Sequence, residues 1–160
     1  MIPLLLEAMK KTLTDGLSSL SLVHQSEHGD KVGPPHVWIG DLPPKRNGKD
    51  WSALPCVLLV PLHGHHGDEG AETTVALICI VYNPEGGDGT GGETDLALLL
   101  SKVAGLLIDA LDSKGCPLDD RFILQPDDRG RILFWQKSDQ QPKPFTQATM
   151  TSTWRYKGWE

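Results

Sequence analysis

The stretch LVPLHGHHGDEGAETTVALICIVY, residues 59–82, decides the fold because it joins two apolar runs through a short polar segment. The run Cys56 to Val60, which overlaps its start, and the run Val75 to Tyr82 are rich in β-branched residues and too short for typical helices. Both runs therefore predict strands. Pro61 marks the end of the first strand and Thr73 restarts β structure, which predicts a hairpin with a glycine-rich connection.

The hairpin connection contains histidines and acids in a pattern that resembles an enzyme site more than any other part of the chain. The candidate metal ligands are His63, His65, His66 and Asp68. Zinc favours three or four convergent ligands in a tetrahedral array, whereas adjacent histidines on a glycine-flanked turn point apart. We therefore predict an exposed loop that contacts a protein partner, and its members are His63, His65, His66, Asp68 and Glu69. A metal-dependent enzyme built on the same histidines is the alternative.

A long amphipathic helix is predicted after the second strand. Thr94 and Asp95 supply a side-chain cap and a first-turn acid, and apolar residues recur at spacings of three and four as far as about Ser113. Gly115 and Pro117 end this helix. The segment before it is rich in turn residues and predicts a flexible loop, with Gly86, Gly87, Asp88, Gly89, Gly91 and Gly92 as its members.

Shorter elements complete the predicted fold. Apolar spacing predicts an N-terminal helix over Pro3 to Leu13 and a weak strand around Leu20 to Val23. The runs Phe122 to Leu124 and Arg131 to Trp135 flank a turn sequence that suits a hairpin, and Thr146 to Tyr156 alternates as a half-buried strand does. The prediction is an α+β fold in one domain over residues 1–160, a mostly antiparallel or mixed β-sheet with one long helix across it and a short N-terminal helix.

The composition argues against several classes of protein. A net charge of −6 over 160 residues is unlike that of a protein whose main task is to grip a phosphate backbone. The 3 cysteines are odd in number and far apart, which indicates buried thiols in a reducing compartment and not a disulfide framework. The sequence contains no apolar stretch of membrane-spanning length, and it lacks the common motifs for acyl transfer, phosphate binding and zinc binding.

The two central strands raise a packing question. Cys56 to Val60 and Val75 to Tyr82 are apolar on both faces, yet one long helix covers only one face of a sheet. Either the N-terminal helix or a folded-over C-terminal strand covers the second face, or a neighbouring subunit does. Oligomerisation is therefore one of two explanations that the sequence leaves open.

An ordered set of motifs resembles a known family from about Pro35 to Trp159. The motifs are VWIGDLPPKR, LPCVLLVP, IVYNPEGG, the helix TDLALLLSKVAGLLIDAL and the C-terminal FILQPDDRGRILFWQKSDQQPKPFTQATMTSTWRYKG. Their order resembles the tail terminator proteins of long-tailed bacteriophages, in particular the minor tail proteins of phages and prophages of Gram-positive bacteria. The GDLPPKR segment, the VY turn before the helix and the QPKPF turn before the final strand carry most of the likeness.

The resemblance implies a structural protein with no enzymatic activity and no cofactor. Proteins of this family form a hexameric ring that caps the tail tube, stops its polymerisation and presents the surface for joining the head. The implied partners are further copies of the chain, the major tail tube protein and a head-completion or connector protein. DNA only passes through the pore, no membrane is involved, and the implied location is the head–tail junction of the virion after assembly in the host cytoplasm. Another neck or head-completion protein is an alternative that shares these partners.

Overall fold

The computed structural model describes residues 2–24, 29–43, 53–68, 70–82, 90–139, 141 and 144–156. These residues form two α-helices, two 3-10 helices and eight strands. In chain order they are α1 (Ile2–Gly16), β1 (Leu22–His24), β2 (Lys31–Gly33), β3 (His36–Ile39), β4 (Cys56–Gly67), β5 (Gly70–Tyr82), α2 (Thr90–Leu107), the 3-10 helices Ile108–Ala110 and Asp112–Lys114, β6 (Phe122–Gln125), β7 (Leu133–Lys137) and β8 (Phe145–Tyr156).

A mixed six-stranded sheet organises the fold. Strands β3, β4, β5 and β8 lie side by side, and β6 and β7 both pair with the outer edge of β8. Among the strands that the structure describes in this sheet, β3 and β4 run parallel and the other pairs are antiparallel. Strands β1 and β2 form a separate antiparallel pair. The predicted α+β fold with a mostly antiparallel, mixed sheet is confirmed.

Strands β6 and β7 do not form the hairpin that their sequence suggested. Strand β8 is 12 residues long, so it accommodates Phe122–Gln125 near its C-terminal end and Leu133–Lys137 along its middle. Asp127 organises the connection, because its Oδ1 accepts hydrogen bonds from the backbone N–H groups of Arg129 and Arg131. The two short strands therefore lie end to end along one edge of β8.

Both helices pack on one face of the sheet, which we call the first face. The buried stripe of α2 consists of Leu96, Leu99, Leu100, Val103 and Leu107. This stripe confirms the predicted buried face of the long helix. It shares one core with residues of α1 and of the central strands, which are Leu5, Met9, Leu13, Val57, Leu59, Val75, Leu77, Cys79, Ala148, Met150 and Trp154.

The long helix ends earlier than about Ser113, where the sequence predicted its end, because α2 stops at Leu107 and Leu111 is extended, with φ of −61° and ψ of 143°. Two 3-10 turns continue from α2 as far as Lys114. Gly115 then adopts a left-handed conformation with φ of 71°, which glycine tolerates because it has no Cβ. Gly115 therefore ends the second 3-10 turn, and the prediction that Gly115 and Pro117 end the long α-helix itself is wrong.

The opposite face of the sheet, which we call the second face, carries a smaller core near the start of β4. Leu54 and Ile80 are buried there together with Cys56. Further along the central strands, Ala76 is buried on this face, whereas the larger apolar residues that share it are only half-buried, and they are Leu58, Val60 and Ile78. Helix α1 belongs to the first-face core and β8 is part of the sheet itself, so neither of the two segments expected to cover the second face lies on it. That explanation for the two-sided apolar strands is wrong.

Candidate interaction surface

The segment predicted as a hairpin loop is largely part of the two strands. Strand β4 extends to Gly67 and β5 begins at Gly70, and Asp68 is the described residue of the turn between them. Pro61 does not end β4 as predicted, because a bulge places Leu62 between the paired residues Pro61 and His63. Proline is tolerated at bulges and at edges, and β3 no longer pairs with β4 at this point.

The three histidines lie on both faces of β4 because successive side chains of a strand alternate, and the bulge decides which face each one takes. His63 and His65 lie on the second face, where His65 pairs with Glu72 of β5. His66 pairs with Ala71 and lies on the opposite face. All three imidazoles are exposed but do not converge on one point. Among the residues that the structure describes, no group of three or more His, Cys, Asp or Glu side chains is placed to hold a metal ion.

A row of charged and polar side chains crosses the second face at the hairpin end, and we call it the charged row. His65 of β4 pairs with Glu72 of β5, which in turn pairs with Arg155 of β8. Directly opposed residues on one face of a sheet have Cβ atoms about 5 Å apart, so the three side chains lie beside one another. Together with Asp68 of the turn they line a concavity of about 260 Å³. Glu69 lies outside the described residues.

Arg155 is the unusual member of the charged row. Its Nε atom is buried and has no hydrogen-bond partner in the described part of the chain. The ion pairs found among the described residues do not include Arg155 either. A buried donor on a charged group is costly to leave unpaired. The row presents charges of both signs, with His65 and Asp68 exposed and Glu72 and Arg155 half-buried, so it is suited to a partner surface that also carries both signs.

The structure describes only part of the predicted flexible loop. Gly91 and Gly92 lie in the first turn of α2, which begins at Thr90, so assigning them to the loop is wrong. Glycine is a weak helix former, and Glu93 in this turn forms an exposed ion pair with Lys137 of β7. The other predicted members lie outside the described residues, and they are Gly86, Gly87, Asp88 and Gly89.

The sequence did not single out Glu72 or Arg155 as candidate functional residues. The alternation of β8 places Arg155 on the same side of that strand as Thr149 and Thr151, and the structure confirms this placement. Which residue faces Arg155 on the next strand depends on the long-range register of β5 and β8. The signal available in the sequence was therefore an arginine on a face otherwise rich in threonine.

Comparison with known proteins gives no match to this chain, either among protein-family models or among curated proteins. Within the part of the chain that the structure describes, none of the helices is long and apolar enough to cross a membrane. The features that bear on function are the half-buried second face and the charged row at its hairpin end.

Proposed function

We propose that this chain is a tail terminator of a long-tailed bacteriophage, a structural protein that caps the tail tube as a ring, stops tube polymerisation and forms the surface for head–tail joining. The observation that carries the proposal is the second face of the sheet. Leu58, Val60 and Ile78 stay half-buried there although they belong to the two central strands. A neighbouring copy in a ring would bury this face and remove these apolar side chains from water.

The charge of the chain also supports this proposal. A pore through which DNA passes is better lined by charge that repels the phosphate backbone than by charge that grips it, and the net charge is −6. The proposed partners are further copies in a homohexamer, the major tail tube protein and a head-completion or connector protein. The proposed location is the head–tail junction of the virion, reached after assembly in the host cytoplasm.

The two alternative functions are separated by different observations. A metal-dependent enzyme built on the histidines is the less supported, because His66 lies on the face opposite to His63 and His65. Another neck protein would share the ring and most partners, and it would differ in failing to bind purified tail tube. Tube binding is therefore the measurement that distinguishes a terminator from its neighbours in the neck.

Substitutions on the second face test the proposed ring. Thr149 and Thr151 are half-buried and pair with Ile78 and Ala76, so the double variant Thr149→Arg, Thr151→Arg should block a neighbour without entering the first-face core. Ser101→Arg on the exposed side of α2 is the matched control. Negative-stain images and light scattering should show a ring with a central hole for the wild type and the control, either at high protein concentration or on tube tips.

The expected result for the double variant is a folded protein that forms no ring and does not stop tube growth. A melting temperature close to that of the wild type separates lost assembly from unfolding. Wild-type protein that stays monomeric at high concentration, and also when mixed with tube protein, contradicts the proposed function.

A further inference from the structure

The turn between β6 and β7 presents an acid and a base that lack partners in the described part of the chain. Asp128 and Arg129 are adjacent and exposed, and the ion pairs of the described residues include neither. The exposed turn before β6 differs, because Arg121 lies 3.7 Å from Asp119 there. The β6–β7 turn therefore offers an acid–base pair that is not already neutralised within the chain.

Asp127 holds this turn in a fixed conformation. Its Oδ1 accepts hydrogen bonds of 2.9 Å from the N–H groups of Arg129 and Arg131, and its Oδ2 accepts one of 2.8 Å from the Nε of Arg131. The bonds from Arg131 and Arg129, with the backbone bond from Arg131 as the main cause, hold the pKa of Asp127 below its ordinary value of 3.8. The carboxylate is therefore ionised at neutral pH, and a turn of this kind loses little conformational entropy when it binds.

We propose that the β6–β7 turn of one copy docks on the charged row of the next copy in the ring. Asp128 faces the guanidinium group of Arg155, whose side chain is half-buried in the row. Arg129 then faces the carboxylates of Glu72 and Asp68, which line the same concavity. Each of the two proposed contacts joins an acidic side chain to a basic one. This inference rests on the ring proposed above.

The positions of the two surfaces suit a ring. The turn lies at the edge of the sheet formed by β6 and β7, whereas the charged row lies on the second face at the end of β4 and β5. Since two different surfaces join, each copy keeps one free surface of each kind for its next neighbour. Repetition of such a contact forms a ring when the rotation between copies closes and an open filament when it does not, so the proposed contact is compatible with the proposed ring. The row is also continuous with the half-buried second face, so one neighbour covers both.

Exchange of charge between Glu72 and Arg129 tests the contact. Glu72→Arg alone and Arg129→Glu alone each bring like charges together and should weaken self-association on the order of tenfold in sedimentation measurements. The double variant again has opposite charges across the interface and should recover most of the lost affinity. Arg121→Glu changes an exposed arginine just before β6 and should leave self-association unchanged.

Disulfide trapping gives a second measurement that does not depend on charge. Chains carrying Arg129→Cys and chains carrying Glu72→Cys, each with Cys116→Ser, are mixed at a concentration at which the wild type associates. A disulfide between the two kinds of chain is expected. Arg121→Cys in place of Arg129→Cys should give none.

The possible results of these two experiments test the proposed contact and the proposed function separately. Recovery in the charge-exchanged double variant together with the expected disulfide supports the contact. Oligomers that form without the disulfide and without recovery overturn the contact and leave the ring standing. Wild-type chains that never associate, alone or with tube protein, overturn both.

Discussion

Trp154 donates a hydrogen bond of 2.8 Å from its indole Nε1 to the hydroxyl oxygen of Ser152, and both side chains are buried in the first-face core. The Ser152 hydroxyl in turn donates a bond of 3.0 Å to the carbonyl oxygen of Val75 on the neighbouring strand. One buried hydroxyl therefore satisfies an indole donor and also links β8 to β5.

Replacement of Ser152 by alanine should lower the free energy of unfolding by about 1–3 kcal/mol, because it leaves the buried indole N–H of Trp154 without an acceptor. Urea denaturation measures the change. Ser101→Ala on the exposed side of α2 is the control and should stay within about 0.5 kcal/mol of the wild type. Equal unfolding free energies for Ser152→Ala and the wild type would contradict the role given to this hydroxyl.

The buried stripe of α2 predicts a larger effect. Leu100 is 4% exposed and Val103 is fully buried, so Leu100→Asp or Val103→Asp places an unpaired charge in the first-face core. Changes of this kind cost about 4 kcal/mol or more, and either variant should fail to fold. Lys102 lies on the exposed side, so Lys102→Ala should melt like the wild type in circular dichroism. Similar melting temperatures for all three variants would mean that α2 does not pack on the sheet in this way.

The sequence predicted those parts of the fold whose pattern is local. The spacing of Leu96, Leu99 and Val103 defines the buried face of α2, and the alternation of Thr146–Tyr156 defines β8. The pairing of the strands was predicted less well. Strands β6 (Phe122–Gln125) and β7 satisfy their backbone hydrogen-bonding groups equally well by pairing with each other or with a third strand. The length of β8 decides that competition, and no local pattern in the two short strands reveals it.

The candidate site was predictable only in part, and for the same physical reason. The exposed histidines stand out in the sequence, and strand alternation alone separates His66 from His63 and His65, but the bulge at Leu62 determines which face of the sheet the pair occupies. A proline usually indicates the end of a strand, whereas here the bulge at Leu62 allows β4 to continue past Pro61. The juxtaposition of Arg155 with Glu72 depends on the register between strands that are far apart in sequence.

The cysteines should differ sharply in reactivity. Burial raises the pKa values of Cys56 and Cys79 from 9.0 to about 12, and for Cys79 the nearby Cys56 adds to this effect. Cys116 is exposed. Because the thiolate is the reactive form, Ellman's reagent at pH near 8 should modify Cys116 alone in the folded protein and all three cysteines after unfolding.

The same pKa shifts have a consequence for stability. Since the folded-state pKa values lie above the ordinary value, the buried thiols stay protonated longer in the folded chain, and their contribution to stability is complete below pH 9.0. The free energy of unfolding should therefore fall as the pH rises above this value.

The modification experiment has its own contradicting outcome. Rapid modification of two or three thiols in the folded protein, persisting in the Cys116→Ser variant, would contradict the burial of Cys56 and Cys79.

Two glycines of β4 form a matched pair for testing the extended hairpin. A Cβ at Gly64 would lie 2.7 Å from the carbonyl oxygen of Glu72 and 3.1 Å from Oγ1 of Thr73, whereas a Cβ at Gly67 would come no closer than 3.9 Å to Gly70. Gly64→Ala should therefore push β4 away from β5 and cost about 1–3 kcal/mol of unfolding free energy. Gly67→Ala should cost less than about 0.5 kcal/mol, as surface changes usually do. Faster hydrogen exchange at the hairpin end in Gly64→Ala but not in Gly67→Ala is the expected signature, and equal exchange would place the strand end elsewhere.

The histidines of β4 should matter for binding and not for folding. His63, His65 and His66 are exposed, so their joint replacement by alanine should leave the melting temperature and the metal content unchanged. Under the proposed function the triple variant should bind tail tube or head connector more weakly, because His63 and His65 share the second face with the charged row. His66→Ala alone should retain most of this binding, since that side chain lies on the opposite face. A stoichiometric zinc or nickel ion in protein purified without a histidine tag, or a melting temperature lowered by a chelator, would reverse this conclusion and favour the metal-dependent alternative.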